Sequence, residues 1–415
     1  MKVLWFCSED LSKSEIKATG TWLHTMSDAI VERGVELYCI TQNADVQKIE
    51  YKNCSKCKQW VLPQYKLYNG LPLIKYINGI CQIVDSIQPD IIHIWGTEYY
   101  WGLLYARGYI RGRVLLEIQG LKETCVRVFY GGLGLKDILK TIGIREIVHP
   151  TWSLIYRQYE FWKWSQYERE IIAAHHHIST HSDWVRSWIA QFVNSECAIH
   201  HTQRIVRKEF LKADAWLKPN NSKDAPVIFA LSSGADAYKG IHDAIRAIGL
   251  LKRHYPNIQL RIAGNFGIEK TNIRKPGYTK YLLKLIKINN LDNNVLFLGS
   301  INASQIVEQL SQSNAMLQTS YVESYSLAVA EAMMYGIPLV VSYAGAMPEL
   351  AQDKSAALFF TPSDYFACAY SLQKIFESDS LAESLSSKSR SLAISRNVAT
   401  KLGDLQLDIY KQVLV

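Results

Sequence analysis

The chain has no apolar run long enough to cross a membrane as an uninterrupted helix. Its longest nearly uncharged stretch, 324–347, carries Glu331 inside it and Gly336-Ile337-Pro338 further on, so a buried helix followed by a buried strand is expected there. The N-terminus, Met1-Lys2-Val3-Leu4-Trp5-Phe6-Cys7, turns polar at Ser8-Glu9-Asp10 and lacks a small-residue cleavage site. No secretory signal is read, and a cytoplasmic location is expected. Glycine and proline are sparse, 23 and 11 in 415 residues, which excludes collagen-like and low-complexity classes. Among eight cysteines only Cys54 and Cys57 stand close together, with no second pair at zinc-binding spacing, so reduced structural thiols are the expectation and no metal site is read. No Asp-x-Asp run is present to hold a divalent ion. Charge of one sign is not concentrated either: 46 Lys and Arg against 38 Asp and Glu leave +8 spread along the chain. Without an aromatic and basic binding motif, nucleic acid is not an expected partner.

What the chain does have is a repeated alternation. Short apolar runs at 3–7, 37–41, 91–95, 114–118 and 177–180, and again at 227–231, 260–263, 295–298, 315–319 and 339–342, alternate with segments of helical period. Strands apolar on both faces, separated by helices, predict parallel sheets covered on both sides. The pattern occurs twice, which predicts an α/β chain of two doubly wound, Rossmann-like domains. The polar run Leu217-Lys218-Pro219-Asn220-Asn221-Ser222-Lys223-Asp224 places the boundary at 217/218, giving domains 1–217 and 218–399. The last helix, about 400–415, has no strand left to pair with and is expected to pack back on the first domain. Ligands of open parallel sheets bind beyond the carboxyl ends of the strands, so two such domains facing each other place a site in the cleft between them.

Two acids mark the second domain. Glu323 falls at a strand-to-helix turn and Glu331 eight residues later, just over two turns on and on roughly the same face. Glu331 lies among Ala, Val and Met on a helix that must be buried, and a buried carboxylate is costly without partners. Its two oxygens suit the paired hydroxyls of a ribose, while an interior salt bridge is the plainer alternative. A second element, Leu231-Ser232-Ser233-Gly234-Ala235-Asp236-Ala237-Tyr238-Lys239-Gly240, leads from a strand through small residues towards a helix. Small residues let backbone N–H groups approach an anion, and Lys239 adds a point charge for phosphate.

The Glu-x7-Glu arrangement followed by Ala-Met-x-x-Gly-x-Pro resembles the donor-site signature of retaining GT-B glycosyltransferases, family 4 in particular. The resemblance implies that Glu331 binds the nucleotide ribose, that Glu323 lies beside the donor sugar, and that Lys239, Gly234 and the Gly345-Ala346 turn meet the donor diphosphate. Loops containing Gly264 and Gly299 resemble those that hold the base. On the first domain, Gly20 falls in the glycine-rich loop near the acceptor, His93 in a Pro-Asp-x-x-His run, and Gln119 where many members carry a sugar-touching His. The chain departs from the family at Gly234, where an Arg is usual, so Lys239 or a basic residue such as Arg204 or Arg207 must supply that charge. His-Ile-Trp-Gly-Thr-Glu, Glu-Ile-Gln-Gly-Leu and Phe129-Tyr130-Gly131-Gly132 look like a bacterial subgroup associated with surface polysaccharide clusters.

The expected activity is therefore metal-independent, retaining transfer of a sugar from a nucleotide-diphosphate donor, UDP- or GDP-linked, to a saccharide or lipid-linked glycan acceptor, with no cofactor besides the donor. Two rivals remain on the residues: a nucleotide-sugar epimerase of the same architecture, and a non-catalytic binding subunit favoured by Gly234 and Gln119. Between Thr151 and Arg169, seven aromatic residues alternate with Arg157, Lys163 and Arg169. Such a segment suits either a helix packed on its own sheet or the headgroup region of an anionic membrane, which would add peripheral contact at the inner face of the plasma membrane.

Overall fold

The computed structural model describes residues 1–13, 22–54, 56–220, 225–352 and 355–415. Gly20, expected near the acceptor, lies outside the described residues. Two sheets organise the rest. The first is built of β1 (Lys2–Phe6), β2 (Glu36–Asn43), β3 (Glu50–Asn53), β4 (Lys58–Pro63), β5 (Ile91–Trp95), β6 (Val114–Glu117), β7 (His177–Thr180) and β8 (Ala198–His201), in the order β3-β4-β2-β1-β5-β6-β7-β8. The second contains β9 (Val227–Leu231), β10 (Gln259–Ala263), β11 (Val295–Gly299), β12 (Ala315–Gln318), β13 (Leu339–Ser342) and β14 (Leu358–Phe360), in the order β11-β10-β9-β12-β13-β14. Every pairing is parallel except β3 with β4.

Every residue of β5, β6, β12 and β13 is buried, because helices cover both faces of each sheet. All ten expected strands form. The four that periodicity missed, β3, β4, β8 and β14, lie at or next to a sheet edge, where half-buried or exposed positions replace the fully buried run.

The chain leaves the first core at Ile205 and enters the second at Val206, well before the polar run that suggested a boundary at 217/218. Residues just ahead of that run are already fastened to the second sheet's helices: Trp216 donates from its backbone to the Tyr335 carbonyl at 2.9 Å and from its indole to that of Ser313 at 3.0 Å. The domain crossing is set by which core each apolar residue enters, which a polar, Pro-containing run does not report. The return crossing lies beside the first, since the Asn397 amide donates to the Arg204 carbonyl and to the Tyr325 hydroxyl, both at 2.7 Å. Part of the first half also leans across: Phe129, Leu133, Ile138 and Leu154 sink into the second core, and the His242 ring bonds to the Gly131 carbonyl at 2.9 Å.

The helix Ala399–Leu414 lies against the helix Trp22–Val31 and the first sheet, with Arg33 paired to Asp404 at 2.6 Å. Its Tyr410 hydroxyl meets the Trp5 indole at 3.0 Å and His93 Nδ1 at 2.8 Å. His93, expected on the acceptor side, is thereby a core residue with no exposed surface. It stands two residues before the end of β5, stacked on Trp95 at 3.9 Å between centroids, and burial drives its imidazole well below its ordinary pKa. Position inside the strand, rather than beyond its end, removes it from the ligand side.

Candidate functional site

A cavity of about 700 Å³ lies between the sheets, beyond the carboxyl ends of β1, β5 and β6 on one side and of β9, β10, β11 and β12 on the other. Trp22, Trp95, Glu98, Gln119 and Lys122 form the first wall, while Ser232, Ser233, Lys239, Gly264, Glu323 and Glu331 stand in the second. Arg204 and Arg207, from the crossing segment, close the cavity between them. Gly264 lines the cavity. Gly234 and Gly299 do not line the wall, which is made there by Ser232, Ser233, Asn265 and Ser300.

Lys239 ends a short turn at the mouth of β9 and points its ammonium at Glu323 Oε1, 2.6 Å away. The same oxygen accepts from the Gln318 amide at 3.0 Å. Burial opposes the ammonium charge, but the adjacent Glu323 carboxylate outweighs it and raises the Lys239 pKa, so the lysine stays a cation in a part-buried site.

Glu331 sits on the helix Leu327–Tyr335, whose first turn is capped by the Ser326 hydroxyl accepting from the Val329 N–H at 3.3 Å. Both of its oxygens are engaged by Arg207, through Nε and Nη2 at 2.6 Å each. The interior salt bridge weighed against a ribose contact is therefore formed in this conformation, although both partners line the cavity. Burial alone would lower the Arg207 pKa; the bidentate carboxylate raises it instead.

Gly345 and Ala346, expected at the diphosphate, do not reach the cavity wall. The Ala346 N–H donates to the Glu323 carbonyl at 2.9 Å, and Gly345 takes φ +57 where a Cβ would stand 2.2 Å from that same oxygen. Glu349, in the same turn, accepts the N–H groups of Asp183 and Trp184 at 2.8 Å each, capping a helix of the first domain. The turn positions Glu323 and clamps the domains together, which the Gly-x-x-x-Glu spacing does not reveal.

Two features had no spacing signal. Arg204 bonds through Nε to His181 Nε2 at 3.1 Å and through Nη2 to the Gln119 carbonyl at 3.0 Å, with Glu117 Oε1 3.8 Å from the same His181 nitrogen. Burial keeps His181 neutral, so its nitrogen accepts from the guanidinium. The other is Glu98, whose carboxyl is raised by burial and would meet a Cβ on Gly96 at 2.1 Å or on Gly120 at 2.8 Å. Small neighbours make its place, a signal present in Trp95-Gly96-Thr97-Glu98 and Gln119-Gly120. Gln119 itself lines the cavity, and its amide nitrogen is buried without an acceptor among the described residues.

Burial raises the Glu117 carboxyl from 4.5 to about 8, with Arg204 opposing. The folded state then holds a proton that the unfolded state has released, so stability falls as pH rises through that window. The buried histidines His93 and His181 have the opposite sign and act only below their ordinary 6.5. We expect wild-type urea midpoints to decline between about pH 7 and 8, and Glu117→Gln to flatten that decline. Parallel declines in the two proteins would remove Glu117 as its source.

Residues 212–392 match the family model described as glycosyl transferases group 1. Glycogen synthase of Mycobacterium tuberculosis is 25% identical over 145 residues, 35% of this chain and 33% of that protein, so the match spans about a third of the relative's length. Among solved structures, sucrose-phosphate synthase from Thermosynechococcus elongatus superposes with a TM-score of 0.75 at 15% identity, covering 99% of this chain and 98% of that one. Anabaena HepE in complex with UDP and glucose superposes with a TM-score of 0.65 at 14% identity, covering 99% and 100% of the two chains. The chain thus has the GT-B fold across both sheets, and its second half, residues 212–392, matches glycosyl transferases group 1.

Proposed function

We propose that the protein is a retaining glycosyltransferase that moves a sugar from a nucleotide-diphosphate donor to a saccharide or lipid-linked glycan acceptor in surface polysaccharide synthesis. The observation that carries this reading is the Lys239–Glu323 pair, 2.6 Å apart in a cavity walled by both sheets. As the bond from the anomeric carbon to the diphosphate breaks, the leaving group takes the electron pair and its charge is met by Lys239. Arg204 supplies the second cation that Gly234 does not, from the crossing segment. Fixed charges stabilise such a departing anion without reorganising, so the reading is metal-independent.

Glu323 supports the sugar as positive charge develops at its anomeric carbon, and Gln119 offers its buried amide to a sugar hydroxyl. Glu98, on the acceptor side, has raised proton affinity and is the first-wall carboxyl available to the acceptor hydroxyl, whose proton must leave as the new bond forms. Glu331 receives the ribose once Arg207 swings aside.

Calorimetric binding of UDP, GDP, ADP and CMP tests this reading. One diphosphate should bind well above the others, and a sugar donor with that base should turn over only when an acceptor is supplied, with EDTA leaving the rate unchanged. Product from donor alone would make the protein an epimerase, and binding without turnover a binding subunit.

A further inference from the structure

Nine of the 25 exposed large apolar side chains among the described residues fall between Leu135 and Trp162. Leu135 is 80% exposed, Ile147 69% and Ile144 68%, in a chain whose other exposed apolar residues are scattered. Helical spacing gathers them on outer faces. Leu135 and Leu139 are one turn apart on the helix Leu135–Lys140, Ile144 and Val148 likewise on Ile144–Val148, and Ile155, Tyr159 and Trp162 follow along Leu154–Ala174.

The opposite sides of these helices are anchored. Ile138 and Leu154 belong to the second core, and Glu146 accepts the N–H groups of Gly143 and Gly277 at 3.0 Å each. Trp164, two residues beyond exposed Trp162, turns inward and donates to the Thr97 carbonyl at 2.7 Å. The aromatic segment is therefore split: one side packs on the first domain and the other faces solvent.

Charge around this surface is mostly positive. Lys136, Lys140 and Lys163 are exposed, and Arg145 lies over the Trp152 ring at 4.5 Å. Among the acids, Glu146 is buried, and Asp137 is paired with Lys140 at 2.7 Å and with Arg246 at 3.8 Å, which leaves Glu160 as the unpaired exposed one. The surface also adjoins the cleft, since Phe161 packs under cavity-lining Lys122 at 4.0 Å.

A run of exposed apolar side chains with Trp and Tyr among its members and basic residues beside it is unusual for a surface facing only water, and it has the composition of a headgroup interface. We propose that this face docks on an anionic bilayer, its isoleucines and leucines entering the headgroup boundary while Lys136, Lys140 and Lys163 meet lipid phosphates. The inference goes beyond the reading of the cleft and does not depend on turnover.

The test is sedimentation of the full chain with vesicles of phosphatidylcholine mixed with phosphatidylglycerol. Ile144→Ser combined with Ile147→Ser removes exposed side chains only, and should lower vesicle partition about tenfold or more. Lys136→Glu with Lys140→Glu should lower binding to the anionic vesicles and weaken its salt dependence. Nucleoside diphosphate affinity should stay unchanged in both variants, so a failed membrane proposal is told apart from a failed reading of the cleft. Wild-type protein that stays in the supernatant, or equal partition of the Ile144 and Ile147 variant, overturns the proposal. So does a wild-type dimer that the same variant converts to monomer without any vesicle binding, because a second copy then covers the face.

Discussion

Replacing Lys239 with Met should lower the rate of sugar transfer by about 10²- to 10³-fold, the cost of removing one preorganised charge from a developing anion, roughly 3–4 kcal/mol. The argument is geometric. Lys239 is a cation held 2.6 Å from Glu323 within the cavity wall, and Gly234 stands where a second basic residue of the same loop would help it. Met keeps the stem and removes the charge, leaving Glu323 one remaining partner in the Gln318 amide. Lys239→Arg should rescue little, because a planar fork does not reproduce a compact point charge in this position. Single-turnover rates at saturating donor, with thermal unfolding as the control for folding, read the effect. A folded Lys239→Met enzyme within about threefold of wild type would be at odds with transition-state stabilisation on the scale expected for a lost charge, and would hand the role to Arg204.

The second large effect concerns Glu331. Glu331→Ala should destabilise the fold by about 3–5 kcal/mol, since it strands the Arg207 guanidinium in a buried site that both 2.6 Å bonds now satisfy. Glu331→Leu combined with Arg207→Met should restore most of that loss, because an apolar pair of similar volume needs no charge compensation. Urea midpoints of the single and double variants form the comparison. A single variant within about 1 kcal/mol of wild type would mean that the pair is solvated and dispensable. The folded double variant also separates structure from binding. Its nucleotide affinity should drop by about 1.5–3 kcal/mol, the range for hydrogen bonds to a charged group. Affinity equal to wild type in that variant would remove Glu331 from the ribose and leave it a structural residue.

These two residues also show how far the sequence reaches. Lys239 and Glu323 were both visible as residue types at strand-to-helix turns, and the parallel-sheet topology that places such turns at one edge is itself legible in the doubled apolar pattern. Their 2.6 Å contact was not, because the residues are 84 positions apart in the chain. Glu331 was legible as a buried acid, since its neighbours are Ala, Val and Met, but two chemistries fit that burial equally. Arg207 decided between them in this conformation from a segment with no helical or strand register to Glu331.

His93 stays off the cavity wall for a related reason: two residues along a strand decide whether a side chain points beyond the sheet or into its core, and Tyr410 at the far end of the chain fills that core. The Gly345 turn is instead drawn onto the Glu323 carbonyl. The exposed apolar face was half legible: aromatic residues with interleaved cations fitted either a packed helix or a headgroup interface, while helices 135–140 and 144–148, too short for a clear period, gave no warning of their exposed sides.

By itself the sequence determined the two doubly wound sheets, because apolar periodicity is a local property that burial on both faces must satisfy. It also determined which carboxylates and lysine stand at the strand ends of the second sheet. Only the tertiary structure decided the crossing at 205/206, the partners of Glu331 and Glu349, and the recruitment of Arg204 and Glu98 to the cleft. Those depend on contacts between residues far apart in the chain, where side-chain reach and competition for buried charges, rather than spacing, select the partner.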